Sequence, residues 1–218
     1  MSADGSSEAP ASSELTFSFG GYGAEHPSLP TTAGFGIRTA ARLIDIGVHW
    51  LIALVSGFVF GLFLLIAAGG NQIAVQNAVA SLRQRSIIAL VLSILGSAMY
   101  HTVCEGGYGS TLGKLIMGLV VLGEDGQPCR FRSALGRSFA FYIDSLFFGI
   151  IGYMAMKGSP LDQRKGDEWF HTIVAKRKAT PAVAVRGLGR FVAVAIVAAV
   201  VDAVFVLLGF LAHIQNWG

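Results

Sequence analysis

Charge is scarce in this chain. Only 13% of its 218 residues are Asp, Glu, Lys or Arg, against about a quarter in an ordinary soluble domain, too few to clothe a surface that faces water. Two cysteines exclude a disulfide framework, and an apolar content of 53% excludes a disordered or collagen-like polymer. Positive charge is missing from residues 1–37, where Asp4, Glu8, Glu14 and Glu25 give −4 and leave +7 for the remainder. A basic remainder suits anionic lipid headgroups, and no nucleic-acid partner is expected. The first residues have neither the basic start nor the apolar run of a secretory signal. Residues 1–32, rich in Ser, Gly, Pro and acids, read as a flexible acidic tail.

Long apolar runs follow that tail. A helix crossing a hydrocarbon core of about 30 Å needs about 20 residues, and four segments reach or approach that length: Ile37–Ala68, Ser86–Val103, Ser133–Met156 and Leu188–His213. The expected fold is an all-α integral membrane protein, a helical bundle of three to four apolar segments. Helices are required because an open strand edge in lipid leaves backbone groups unsatisfied.

Lys and Arg near span ends are retained on the cytoplasmic side. Four full crossings with the N-terminus inside would leave 6 of the 16 basic residues inside and 10 outside, against that rule, and with the N-terminus outside would give 10 inside, an intermediate result. If the third segment enters and returns on one side, all of them except Arg83 and Arg85 lie on the cytoplasmic side. The expectation is therefore three crossings, a re-entrant or interfacial third segment and a cytoplasmic N-terminus.

Ions inside apolar segments need partners or a protected cavity. Arg38, Arg42, Asp45 and His49 are spaced four, three and four apart, along one face of a helix. Asp45 is expected to pair with Arg42 or Arg38. Arg137 and Asp144, seven apart, share a face in the third segment, and Asp45 with Arg137 or Asp144 with Arg38 are the expected cross-partners. Asp202 has no basic residue within a turn, which leaves a hydrogen bond to another helix or carriage of a proton. Gly57 and Gly61 form a small-xxx-small pair that permits close helix approach.

Several motifs fail on spacing. Gly107 to Lys114 resembles a phosphate loop, but Tyr108 stands where the first Gly is needed and Leu115 where Ser or Thr is needed. His101, Cys104, Cys129 and His171 match no zinc pattern, so reduced, buried or interfacial thiols are expected and no metal or other cofactor. No Ser/His/Asp or paired-carboxylate set stands out in a water-accessible cleft, so no catalytic residue is assigned.

Three patches together resemble the RDD family of small bacterial membrane proteins. Gly34-Phe35-Gly36-Ile37-Arg38, continuing through Ala41 to Ile44-Asp45, is similar to the family's first-helix pattern. Thr111-Leu112-Gly113-Lys114, with Gly118, Val121 and Asp125-Gly126, resembles its T-x-G-K segment, and Arg137 and Asp144 follow. Gln163-Arg164-Lys165-Gly166-Asp167, with Thr172 and Val174, resembles its closing Q-R-x-G-D stretch. Lys165 and Glu168-Trp169-Phe170 depart from the small or apolar residues more usual there. The resemblance implies an RDD-like membrane domain over 33–178, with 179–218 as an additional C-terminal transmembrane helix.

Thr111–Gly123 reads as an apolar element too short to cross, lying at the cytoplasmic surface. Thr111, Gly113, Lys114, Gln163, Arg164, Gly166 and Asp167 form the expected surface motif near the Arg38 end of the first span. Arg38, Arg42, Asp45, Arg137, Asp144 and Asp202 form the expected intramembrane polar network. Two functions follow. The resemblance and the network allow transport of a small cation or other solute, and three or four spans would need a homo-oligomer to enclose a path. The alternative is a non-enzymatic assembly or scaffold protein that recruits a protein partner through its tail and its cationic surface from Arg164 to Lys178.

Overall fold

The computed structural model describes residues 30–81, 87–145, 149–180 and 187–215. The acidic tail, except its last residues, and Arg83, Arg85 and Arg186 lie outside the described residues. Three helices are long and apolar enough to span a membrane. These are α1, Phe35–Ala67; α3, Ile87–Gly107; and α8, Leu188–Gln215. A short helix α2, Gln72–Ser81, follows α1, in a stretch that carries no span-length apolar run.

The apolar faces of these helices point outward. Leu43, Trp50, Leu51, Leu54 and Phe58 on α1, and Ile196, Val197 and Val200 on α8, are exposed. Such contiguous apolar surface would drive aggregation in water, whereas hydrocarbon solvates it. Inside the bundle, Val48 and Ile52 of α1 pack against Tyr100, Cys104 and Ala198. The closest pairing is α3 with α8, which small residues permit. A Cβ on Gly96 would lie 3.0 Å from Phe205 Cβ and collide with Asp202, and one on Gly107 would lie 2.9 Å from Val194. Gly57 faces the Phe210 ring of α8 within the same chain, while a Cβ on Gly61 meets nothing within 4 Å.

Between α3 and α8 the chain folds into a cap around the Phe35 end of α1. It comprises α4, Leu112–Ile116; β1, Leu119–Gly123; α5, Phe131–Asp144; α6, Ile150–Gly158; α7, Lys165–Trp169; and β2, Thr172–Lys176, followed by a 3₁₀ turn at Arg177–Ala179. Strands β1 and β2 pair antiparallel, Leu119 opposite Lys176 and Gly123 opposite Thr172, and Thr32 adds a bridge to Ala175. This two-stranded sheet is the main departure from an all-helical reading. The stretch expected as one interfacial element over Thr111–Gly123 divides at Gly118, whose φ of +66° ends α4 and turns the chain into β1. Both faces of the ribbon are covered. Leu119, Val121 and Val174 pack with Ala33, Ala41 and Ala134 on one side, and Val120, Leu122, Ile173 and Ala175 cluster on the other.

The third apolar segment does not cross as one rod. It is split into α5 and α6, of 14 and nine residues, each too short for a span. Cys104 and Cys129 are free and buried.

Gly113 sets how closely α4 approaches α1, because a Cβ there would collide with the Ala41 carbonyl oxygen and lie 3.0 Å from the Asp45 carboxyl carbon. Backbone cannot yield as a flexible side chain can. Gly113→Ala is expected to lower stability by about 1–3 kcal/mol, read as a lowered unfolding midpoint of the detergent-solubilised protein. Gly61→Ala, in open space, is expected to leave that midpoint within the scatter of wild type.

Candidate functional site

The cap and the membrane helices meet at a chain of buried ions. Asp167, in the first turn of α7, receives Arg38 NH1 of α1 on Oδ2 at 2.7 Å and Arg137 NH2 of α5 on Oδ1 at 2.6 Å. Arg38 also donates from Nε to the Ala33 carbonyl at 2.7 Å, and the Arg164 amide donates to Asp167 Oδ2. Arg137 continues the chain, with NH1 3.0 Å from Glu105 Oε2 on α3. Glu105 in turn accepts from Lys114 Nζ of α4 at 2.5 Å. Five elements are thereby tied through two carboxylates and three cations, all of them buried or nearly so.

The electrostatics follow from burial and proximity. Desolvation pushes the Asp167 carboxyl up, but Arg137, Arg38 and Arg164 outweigh it and hold the group below the ordinary 3.8. Burial lowers the Lys114 amine, with Glu105 opposing. Burial likewise pushes the Arg137 guanidinium down, yet Asp167 and Glu105 carry it above its usual range. The Asp144 carboxyl is raised by burial against the opposing Gly166 N–H, and burial pushes the Cys129 thiol up to about 11.

Two carboxylates expected in ion pairs do something else. Asp45 makes no ion pair with Arg38, Arg42 or Arg137; it accepts Thr111 Oγ1 at 2.6 Å and the Gly113 amide at 2.8 Å. It thus caps the first turn of α4, where Thr111 also accepts the Lys114 amide. Asp144 does not reach Arg38; its Oδ2 accepts the Gly166 amide at 3.1 Å, docking α7 on α5. A Cβ on Gly166 would lie 2.8 Å from Ala140 Cβ, so glycine permits that approach. Gln163 holds the cap together by donating to Glu124 Oε1 and to the Thr172 carbonyl. The T-x-G-K and Q-R-x-G-D residues therefore lie next to the Arg38 end of α1, and most of them are buried instead of forming a surface.

Glu105 falls outside the network expected from the sequence because the charge-free apolar run stops at Val103. The available signal was a carboxylate closing a charge-free apolar run, four residues after His101. His101 Nδ1 lies 3.8 Å from Glu105 Oε1.

Asp202 is 0% exposed and stands apart from this cluster. Its Oδ2 lies 2.7 Å from His49 Nδ1, and His49 Nε2 lies 3.1 Å from Ser93 Oγ. Carboxylate, imidazole and hydroxyl thus come from α8, α1 and α3 in turn, an arrangement invisible at the separations 49, 93 and 202. Among the described residues Asp202 Oδ1 has no hydrogen-bond partner. Because His49 shares a helical face with Arg38, Arg42 and Asp45, polar groups run along α1 from the cap into the bundle. Among the described residues no group of three or more His, Cys, Asp or Glu side chains could hold a metal ion.

A membrane bundle of three spans, closed at one end by a small cap through a buried Arg–carboxylate chain, defines the class of protein. The chain belongs to the RDD family, whose model matches residues 32–171, well over half its length. No curated protein and no solved structure matches it. The match ends before α8, so Asp202 lies outside it.

Asp167→Asn leaves two buried guanidiniums short of their counter-ion and is expected to cost about 3–5 kcal/mol. The pH dependence has a defined sign. A folded-state pKa below 3.8 means the Asp167 contribution is complete above the ordinary carboxylate range and is lost as pH falls through the lowered value. Unfolding midpoints of wild type and Asp167→Asn, followed as the pH is lowered below 4, are expected to converge.

Proposed function

We propose that this RDD-family protein resides in the bacterial inner membrane, with the N-terminal end of α1 toward the cytoplasm, and moves a small cation in exchange for protons along the polar face of α1. The observation that carries the reading is the hydrogen-bonded series Asp202, His49, Ser93 between the three spanning helices. With one nitrogen on a carboxylate and the other on a hydroxyl, the His49 imidazole can receive a proton on one side and release it on the other. A carboxylate among apolar neighbours in a membrane is costly to bury, which makes Asp202 a candidate for binding or transfer. Arg38, Arg42 and Asp45 extend the same stripe toward the cap. Three spans of one chain do not surround a path, so the transporting unit is a homo-oligomer.

A second reading has its own support. The acidic groups of the cap are each engaged by internal donors, as in a lock that fixes a surface for a protein partner. Trp169 is 55% exposed beside the exposed Lys165–Glu168 pair, on the face where the chain departs from the usual family residues. On this reading the protein is a scaffold without transport.

Flux in proteoliposomes separates the two. Wild type is expected to dissipate a proton gradient when a counter-gradient of a monovalent cation is imposed. Asp202→Asn, isosteric but unable to carry charge, is expected to reduce the rate at least tenfold while eluting as folded protein. Wild type that moves neither protons nor any alkali cation under either gradient would leave the scaffold reading.

A further inference from the structure

The buried ions of the cap line a cavity of about 50 Å³. Its wall carries five Arg or Lys side chains against four carboxylates. Three of the cations, Arg38, Lys114 and Arg137, are matched by Asp167 or Glu105 within ion-pair distance. Arg42 and Arg164 are not. Among the described residues neither guanidinium has a carboxylate within 4 Å, and each instead rests against an aromatic ring. The Arg42 guanidinium lies 3.9 Å from the centroid of Phe141, and Arg164 lies 5.7 Å from the same ring and 5.7 Å from Phe35.

A ring face compensates a buried cation only in part, and it leaves the in-plane N–H groups of the guanidinium unspent. Arg164 Nε is buried and has no acceptor among the described residues. A guanidinium cannot escape this by losing its proton at neutral pH. Two planar donor forks from α1 and from the start of α7, sharing one ring and one cavity, match the acceptors of an oxyanion better than those of a spherical halide. The volume exceeds the roughly 10–15 Å³ that one water needs, and it suits a phosphate-sized group rather than a nucleotide.

We infer that Arg42 and Arg164, flanking Phe141, form a binding site for a single phosphate-type oxyanion at the junction of cap and bundle. The ligand chemistry is a phosphate group, which either a soluble phosphate or the phosphodiester of an anionic lipid headgroup can present. The site does not rest on the transport reading. Binding is measured at equilibrium with no gradient, so a protein that binds phosphate and moves no ion keeps this site and loses that function.

The test uses the full chain in neutral detergent. Its unfolding midpoint is followed against inorganic phosphate at constant ionic strength, with chloride as the balancing anion, and separately against phosphatidylglycerol with phosphatidylcholine as the reference lipid. Wild type is expected to show a saturable rise with one probe or both. A response to inorganic phosphate assigns a soluble oxyanion, and a response confined to phosphatidylglycerol assigns the headgroup. Arg42→Gln and Arg164→Gln are expected to weaken the response at least tenfold, whereas Arg132→Gln, on the exposed side of α5, keeps it. Should the Gln variants fail to fold, Arg42→Lys and Arg164→Lys retain the charge without the planar fork and are expected to weaken binding by a similar factor. A wild-type midpoint that neither probe moves, or an equal loss in Arg132→Gln, overturns the site.

Discussion

A carboxylate taken out of water between two guanidiniums is the joint on which this molecule turns. Asp167 belongs to a five-residue helix in the cap, Arg38 to the first spanning helix and Arg137 to α5, which packs against α3 and α7. Each ion alone would be too costly to bury, and together they fix the cap on the bundle in one orientation. The remaining contacts of the cap follow from that placement. Asp45 reaches the first turn of α4, Asp144 reaches the Gly166 amide, and the Thr32–Ala33 segment lies along β2.

Two solvents act on one chain. Hydrocarbon accepts the apolar outer faces of α1, α3 and α8, so the bundle needs no charged surface and the sequence has little charge to supply one. Where the chain leaves the bundle, ions return, and Asp167, Glu105, Arg38, Arg137 and Lys114 turn inward onto one another. The polar face of α1 connects these regimes, running from Arg38 at the cap to His49 beside Asp202. The position of Asp202 beyond the family-matched region means that α8 adds a carboxylate to a stripe built on α1.

Much of this was legible from residue order. The three spans appear within a few residues of their observed ends, because a run of about 20 apolar residues has one inexpensive use. The grouping of Thr111–Lys114 and Gln163–Asp167 near Arg38 was also readable, from motif order. Partner identity was not. Spacing on one helix suggested Asp45 with Arg42 or Arg38, yet tertiary packing supplied Thr111 and Gly113 from 66 and 68 residues away. The sheet leaves no alternation in the sequence because both of its faces are buried: Leu119–Leu122 is continuously apolar, and such a run reads equally as helix. Glu105 stands two residues beyond Val103, where the charge-free run stops, in a helix that continues to Gly107. The His49–Asp202 pair lay beyond any local pattern, since 153 positions separate its members.

The central claim is that the Arg38–Asp167 bond couples the first spanning helix to the cap, and a double-mutant cycle measures that coupling directly. Unfolding free energies of Arg38→Met, Asp167→Leu and the double variant, in one detergent at neutral pH, isolate the pairwise term. The account requires a coupling of about 2 kcal/mol or more, with the double variant more stable than the sum of the single losses implies. Losses that add within about 0.5 kcal/mol would contradict it.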